Sequence, residues 1–171
     1  MMFKVLKRKV TIPEAEVLIK QIKMTPYIMG YCLKEWVEAE HIIVAENENC
    51  SLMGACLNYD FSQDWNKIAA LFVLEEFRGQ GIGRYLFYES VKDAIERNKN
   101  VYTISSNPII IKMMKELGFV TFESLFKFPE KYQNEQLVFY LHSISWLLNL
   151  YRTKEIIRKK IVYNSQEPFL C

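Results

Sequence analysis

The stretch LFVLEEFRGQGIGRYLF, residues 71–87, places three of the chain's six glycines within five residues, between two apolar runs. Glycine in a helix or strand costs roughly 0.5–1 kcal/mol relative to alanine, so bare backbone at this point has a use that offsets the loss. The apolar residues Leu71, Phe72 and Val73 lead in. Ile82, Leu86, Val91 and Ala94 or Ile95 follow on one helical stripe, with Lys92, Asp93, Glu96 and Arg97 away from it. The segment reads as a strand, a glycine turn and a helix. With the strand VYTISS beyond the turn NKN it makes one β-α-β unit, whose crossover is expected to be right-handed.

The first four N–H groups of a helix have no partner inside it, and with the helix dipole they favour an anion, most often phosphate. Gly79, Gly81 and Gly83 let such amides approach a diphosphate without a Cβ in the way, and Arg78 and Arg84 bracket the turn with charged donors. Two common phosphate motifs fail. A dinucleotide fingerprint counted from Gly79 and Gly81 puts its third glycine on Arg84. A P-loop needs Lys and then Ser or Thr after its last glycine, where this chain has Arg84 and Tyr85.

Near the N-terminus FKVLKRKV reads as a first strand, and Thr11 with Glu14 forms a capping box around Pro13 that opens a helix running to about Met24. YIMGYCLKEWVEAEH has helical spacing and is predicted as a second helix starting near Gly30. IIVAEN and LMGACLNYDF are two strands around the turn ENENCS, the loop SQDWNK follows, and IAALFVL is the strand entering the glycine turn. After VYTISS, Asn107 and Pro108 supply the N-cap and first-turn proline of a helix ended by Gly118. FVTFESLFKF and LVFYLHSI are predicted as a closing pair of strands around PEKYQNEQ.

The 171 residues suit one compact domain, half of them apolar, with no run long enough to span a bilayer. Basic residues exceed acidic ones by two, and no nucleic-acid motif occurs, so nucleic acid is not an expected partner. Cys32, Cys50, Cys56 and Cys171 form no C-x-x-C pair and suggest reduced thiols in a cytoplasmic protein. The N-terminus, MMFKVLKRKV, is too charged for the apolar centre of a signal peptide.

The pattern that does fit the turn is R-x-x-G-x-G, as Arg78, Gly79, Gln80, Gly81, Ile82 and Gly83. Together with IIVAENENCSLMGACLN before it and SSNPIIIKMMKELGF after it, the chain resembles the GNAT superfamily of N-acetyltransferases over residues 42–128. The resemblance implies an α/β (α+β) fold with a mixed, strongly twisted central sheet flanked by helices, here with an extra C-terminal helix. It implies acetyl-CoA as cosubstrate, lying where the strands of residues 71–73 and 101–105 splay apart. The pantetheine arm would pair with the backbone of Leu71, Phe72 and Val73, the diphosphate would sit on Arg78, Gly79, Gln80, Gly81, Ile82, Gly83 and Arg84, and Asn107 would touch the arm while also serving as a helix cap. The Val73 N–H would donate to the oxyanion of acyl transfer.

Two family features are absent. The position of the usual tyrosine acid, four before Gly118, is Met114, and VYTISS lacks the usual glutamate base. Asp60 and Asp64 in the loop before the cofactor strand, His41 and His142 are weaker substitutes, each with an ordinary surface role as the plainer reading. Tyr85 and Tyr88 read as packing residues. The pair of histidines gives no metal constellation. Three functions remain open: transfer of acetyl to a primary amine of a small molecule or peptide largely by positioning, a silent CoA sensor, and an interaction module on the same scaffold.

On the acceptor side, MTPYIMGYCLKEW offers Met24, Tyr27, Met29, Tyr31 and Trp36 with little negative charge, which ranks polyamines and aminoglycosides low. Residues 1–143 are expected to form the acetyltransferase domain and 144–171 a helical extension. In the extension Leu147, Leu150, Ile157 and Ile161 form one stripe, and Arg152, Lys154, Arg158, Lys159 and Lys160 a basic face. A packing helix, a homodimer interface and an anionic membrane surface are its candidate roles.

Overall fold

A computed structural model of the chain describes residues 2–26, 28, 30–122 and 128–163. Their contacts divide into two compact units, one ending at Thr103 and the other beginning at Ile104. The first holds a five-stranded sheet in the order β1 (Phe3–Lys7), β2 (His41–Asn47), β3 (Leu52–Asp60), β4 (Trp65–Val73), β5 (Asn100–Tyr102). Pairs β1 to β4 are antiparallel, while β4 and β5 are parallel, which makes the sheet mixed.

Helix α1 (Ile12–Lys23) begins where its sequence says it should. The Thr11 hydroxyl accepts from the Glu14 amide at 3.4 Å, and the Glu14 carboxylate accepts from the Thr11 amide at 2.8 Å. Leu18 and Ile22 of α1 and Trp36 of α2 (Leu33–Glu38) are buried with Val44, Ala55, Leu57, Phe72 and Leu74 on one face of the sheet. Because alternate residues of a strand point to opposite faces, Gly54 and Cys56 of β3 look the other way, toward α3 (Ile82–Glu96). A Cβ built on Gly54 would lie 3.2 Å from Leu86 Cδ1 of α3. The first unit is thus three layers, with the glycine turn joining the middle layer to an outer one.

The second unit consists of α4 (Pro108–Glu116), a 3₁₀ turn (Glu130–Glu135), α5 (Gln136–Leu147) and α6 (Leu150–Tyr163). Asn107 caps α4, its side-chain oxygen accepting from the Ile109 amide at 2.9 Å.

Several sequence expectations change. Residues 137–144, read as a closing strand, are the middle of α5; LVFYLHSISWLL opens with five apolar residues and has no sustained alternation, and a largely apolar segment of that length suits a helix better than a strand. Its proposed partner, residues 119–128, is not a strand at 119–122, and residues 123–127 lie outside those described. β4 starts at Trp65 inside the predicted loop, since Trp65, Asn66 and Lys67 are all buried against a tight turn from β3. β5 ends at Tyr102, and α2 begins at Leu33 rather than near Gly30. In α6 the predicted apolar stripe is the exposed side, with Leu150 and Ile161 at 86% and 75% accessibility, while Arg152, Glu155 and Lys159 are buried.

The ends of β3, α3 and β5 are tied by charge. Asp60 accepts from Arg97 Nη1 at 2.9 and 2.7 Å and from Asn66 Nδ2 at 2.8 Å, with Lys99 Nζ at 3.5 Å; Arg97 Nε also reaches Asp93 at 3.0 Å, and Lys7 pairs with Asp93 at 2.5 Å. Burial pushes the two carboxyls up, but the hydrogen bonds and positive charges of these partners win and hold both below their ordinary values. Groups with a lowered folded value stabilise the fold fully above the unfolded carboxyl pKa of about 4 and lose that contribution as pH falls through the folded values.

Two outcomes follow. Arg97→Gln lowers stability at pH 7 by about 1–3 kcal/mol, between the exposed and buried limits for ion pairs, and the difference from wild type shrinks on acidification below about pH 4, as followed by urea unfolding. Gly54→Ala puts a Cβ 2.7 Å from the Phe72 carbonyl oxygen and 3.0 Å from Val73 Cα, forcing β3 and β4 apart. It costs about 1–3 kcal/mol in the same measurement.

Candidate functional site

β4 carries one residue more than β3 opposite it. Leu57 faces Ala70 and Asn58 faces Ile68, which leaves Ala69 as a bulge. On its other side β4 pairs with β5 only at Trp65, Asn66 and Lys67, opposite Asn100, Val101 and Tyr102. One further bond, from Thr103 Oγ1 to the Ile68 carbonyl at 3.0 Å, closes that pairing. From Ala69 to the end of β4 the ladder with β5 is gone.

The phase of the open edge follows from one bond. The Leu74 amide donates to the Met53 carbonyl of β3 at 2.9 Å, so Leu74 turns its backbone polar groups toward β3. In an antiparallel pair these groups alternate along the strand. Phe72 therefore also faces β3, while Leu71 and Val73 turn their N–H and C=O groups to the open side. Arg78 Nε donates to the Val73 carbonyl at 3.2 Å, and the Arg78 guanidinium lies 5.2 Å from the centre of the buried Phe72 ring.

Beyond a 3₁₀ turn (Glu75–Phe77) the chain enters α3 through two left-handed residues, Gly79 with φ 77° and Gly81 with φ 79°. A Cβ on either would have no atom within 4 Å, so both face open space. Gly83 is where α3 abuts β4, its Cβ position 3.6 Å from Val73 Cγ2. Buried Ile82 anchors the first turn of the helix in the core.

Arg84 and Tyr85 donate to the Gly81 carbonyl at 3.0 and 3.4 Å. The amides of Gln80, Gly81, Ile82 and Gly83 make no hydrogen bond among the described residues, no side chain caps the helix, and no acidic residue lies in its first turn. The Arg84 guanidinium sits 5.7 Å over the Tyr88 ring. This arrangement is able to hold a doubly charged anion at the helix start beside an amide-bearing chain laid along Leu71 and Val73.

The substitute acids and bases are committed elsewhere or set apart. Asp60 belongs to the Arg97 cluster. His41 lies 3.8 Å from Asp60, and burial together with Arg97 and Lys7 holds its imidazole below the ordinary value. The exposed Asp64 uses its backbone carbonyl to receive the Asn100 amide at 2.8 Å. His142, expected at a strand end, lies inside α5. Tyr85 packs edge-on against Phe3 at 5.5 Å, and Tyr88 neighbours Phe87. In the second unit, Asn107 caps α4 as described and Met114 is buried on that helix.

Tyr31 and Trp36 are core residues and Met24 is exposed; Tyr27 and Met29 lie outside the described residues. Sequence reasoning missed the Ala69 bulge and the Arg78 bond to Val73. The first has no local signal in IAAL; the second could have been suspected from an arginine just past a strand end. Among the described residues no group of three or more His, Cys, Asp or Glu side chains could hold a metal ion.

Several comparisons with known proteins bear on this geometry. No curated protein sequence matches the chain. In fold it is similar to a Neisseria gonorrhoeae N-acetylglutamate synthase complexed with coenzyme A and N-acetyl-glutamate, with a TM-score of 0.61 at 19% identity. That match covers 83% of this chain and 33% of the synthase, so the chain spans about a third of that protein. It is likewise similar to Rv2747 from Mycobacterium tuberculosis in complex with CoA, with a TM-score of 0.63, 16% identity and 88% and 93% of the two chains covered. Ard1 from Thermoplasma volcanium matches with a TM-score of 0.54 at 23% identity over 69% and 84%. The family model described as the acetyltransferase (GNAT) family matches residues 15–119, which run from inside α1 to just past α4 and include both the open edge of β4 and the glycine turn. With the greater part of its length so matched, the chain belongs to the GNAT family of acetyltransferases, whose cosubstrate is acetyl-CoA.

Proposed function

We propose that the chain is an N-acetyltransferase that moves an acetyl group from acetyl-CoA to a primary amine of a small molecule or peptide. The observation that carries this reading is the adjacency of two sets of backbone donors unfilled among the described residues: the outward-facing N–H groups of Leu71 and Val73, and the amides of residues 80–83 at the start of α3. Their order along one strand-turn-helix matches a ligand with an amide-rich arm and a diphosphate. Bound there, acetyl-CoA supplies an activated acetyl group on a thioester.

In this reading Leu71 and Val73 hold the pantetheine arm as a further strand would, and the glycine turn with Arg78 and Arg84 takes the diphosphate. Asn107 is assigned to the arm on the family pattern alone. The Val73 N–H donates to the thioester oxygen as it gains charge during attack by the amine, a fixed dipole that needs no reorganisation. The amine must be neutral to attack, although a lysine-type amine of pKa about 10.4 is mostly protonated at pH 7. With Asp60 and His41 engaged in the ion cluster and a methionine at 114, catalysis rests on positioning: water takes the proton shed by the amine nitrogen, and the thiolate leaves with no side-chain acid assigned to it. The free thiols of Cys32, Cys50 and Cys56 support a cytoplasmic setting.

Gly81→Glu adds bulk and a negative charge where the diphosphate belongs. It raises the Kd for CoA at least about 100-fold by isothermal titration, in keeping with a like charge forced against the anion, while circular dichroism confirms a folded chain. Retained affinity refutes the site. Arg78→Ala removes a charge-assisted donor and weakens CoA binding about tenfold to 100-fold. Thiol release from acetyl-CoA across a panel of amines separates a transferase, which turns over with at least one of them, from a CoA-binding sensor, which turns over with none.

A further inference from the structure

Among the described residues, helices α5 and α6 each expose a row of aliphatic side chains. Along α5, Leu137, Leu141 and Ile144 are each more than half exposed, and Leu148 follows at 73%. Spacings of four, three and four put these residues on one helical face. Leu150 at 86%, Ile157 and Ile161 continue the pattern on α6. The two helices are joined tightly: the Asn149 side chain accepts from the Arg152 amide at 3.2 Å, and Thr153 Oγ1 donates to the Leu147 carbonyl at 2.9 Å. Leu148 and Leu150 thus form the exposed corner where the two helices join.

Charge distinguishes the candidate occupants of this surface. Residues 136–163 hold five basic side chains and one acidic, whereas the remainder of the chain holds seventeen basic and nineteen acidic. Of the five, Arg152 and Lys159 are buried, the former 5.1 Å over the Trp146 ring, and Arg158 pairs with Glu155 at 2.8 Å. Lys154 and Lys160 are exposed on α6, on either side of Ile157. A second copy applied to this face would bring lysines against lysines. An anionic surface would complement them while taking up the leucines.

We infer that the α5–α6 corner is a reversible docking surface for a membrane bearing anionic lipid, entered by Leu148 and Leu150 with Lys154 and Lys160 at the headgroups. Neither helix is long and apolar enough to cross a bilayer, so the segment lies on the membrane rather than through it. The cytoplasmic leaflet, with its negative surface potential, is the matching location. The inference stands apart from the acetyltransferase reading, since it uses no residue of the glycine turn or β4.

The test is co-sedimentation of the full chain with vesicles of phosphatidylcholine alone and of phosphatidylcholine with about a third phosphatidylserine, at low and raised salt. The wild type partitions onto the anionic vesicles at least about tenfold more strongly, and salt weakens the binding. Leu148→Ser with Leu150→Ser, both at exposed positions, and separately Lys154→Glu with Lys160→Glu, each reduce partition at least about tenfold, with CoA affinity unchanged as the check on folding. Equal partition onto both vesicle types, or onto neither, overturns the inference. So does a concentration-dependent dimer in sedimentation velocity that the two serine substitutions abolish, since that result assigns the face to a second copy.

Discussion

One unmatched residue in a strand governs the candidate site. Ala69 lets β4 satisfy β3 along its whole length while changing which backbone groups look the other way. Below the bulge those groups are taken by β5; above it, the Val73 carbonyl is taken by Arg78 and the N–H groups of Leu71 and Val73 are offered to whatever lies beside the strand. A backbone donor or acceptor without a partner is costly when shielded from water, so an edge of this kind favours a ligand that carries amides of its own.

The charge cluster at the opposite end explains how the strands can be open at one end and firm at the other. Asp60 at the end of β3, Arg97 just past α3 and Lys99 before β5 meet in one place, and the Asn100 amide is held by the Asp64 carbonyl. The start of β5 is thereby fastened to the β3–β4 turn. The same commitments deprive Asp60 and His41 of the freedom a general base needs, because a carboxylate held below its ordinary value by Asn66 and Arg97 is a poorer proton acceptor. Structure and chemistry compete for these side chains, and the fold has taken them.

Elements specified by neighbours in the chain were legible. The Thr11–Glu14 capping box, the Asn107–Pro108 start of α4 and the glycine-led start of α3 each depend on contacts within a few residues, and each appears where the sequence places it. The failures involve partners far away. Residues 137–144 read equally well as strand or helix by composition, and only their packing, with Phe139 buried, settles α5. Trp65 looked like part of a polar loop because the residues that bury it lie elsewhere in the sequence. In α6 a helical stripe was visible, but periodicity does not say which face turns inward, and the charged side is the buried one.

What the amino-acid order determined unaided is the strand, glycine turn and helix of residues 71–96 and, through them, the family: left-handed backbone at Gly79 and Gly81 is a local demand that glycine alone meets at no steric cost. Tertiary structure decided the rest of the site. The bulge at Ala69, the early end of β5, the outward phase of Leu71 and Val73 and the engagement of Asp60 all arise from hydrogen bonds and ion pairs between residues up to 37 positions apart. Such partners are chosen by which surfaces meet when the chain closes, and no local pattern in the sequence encodes that choice.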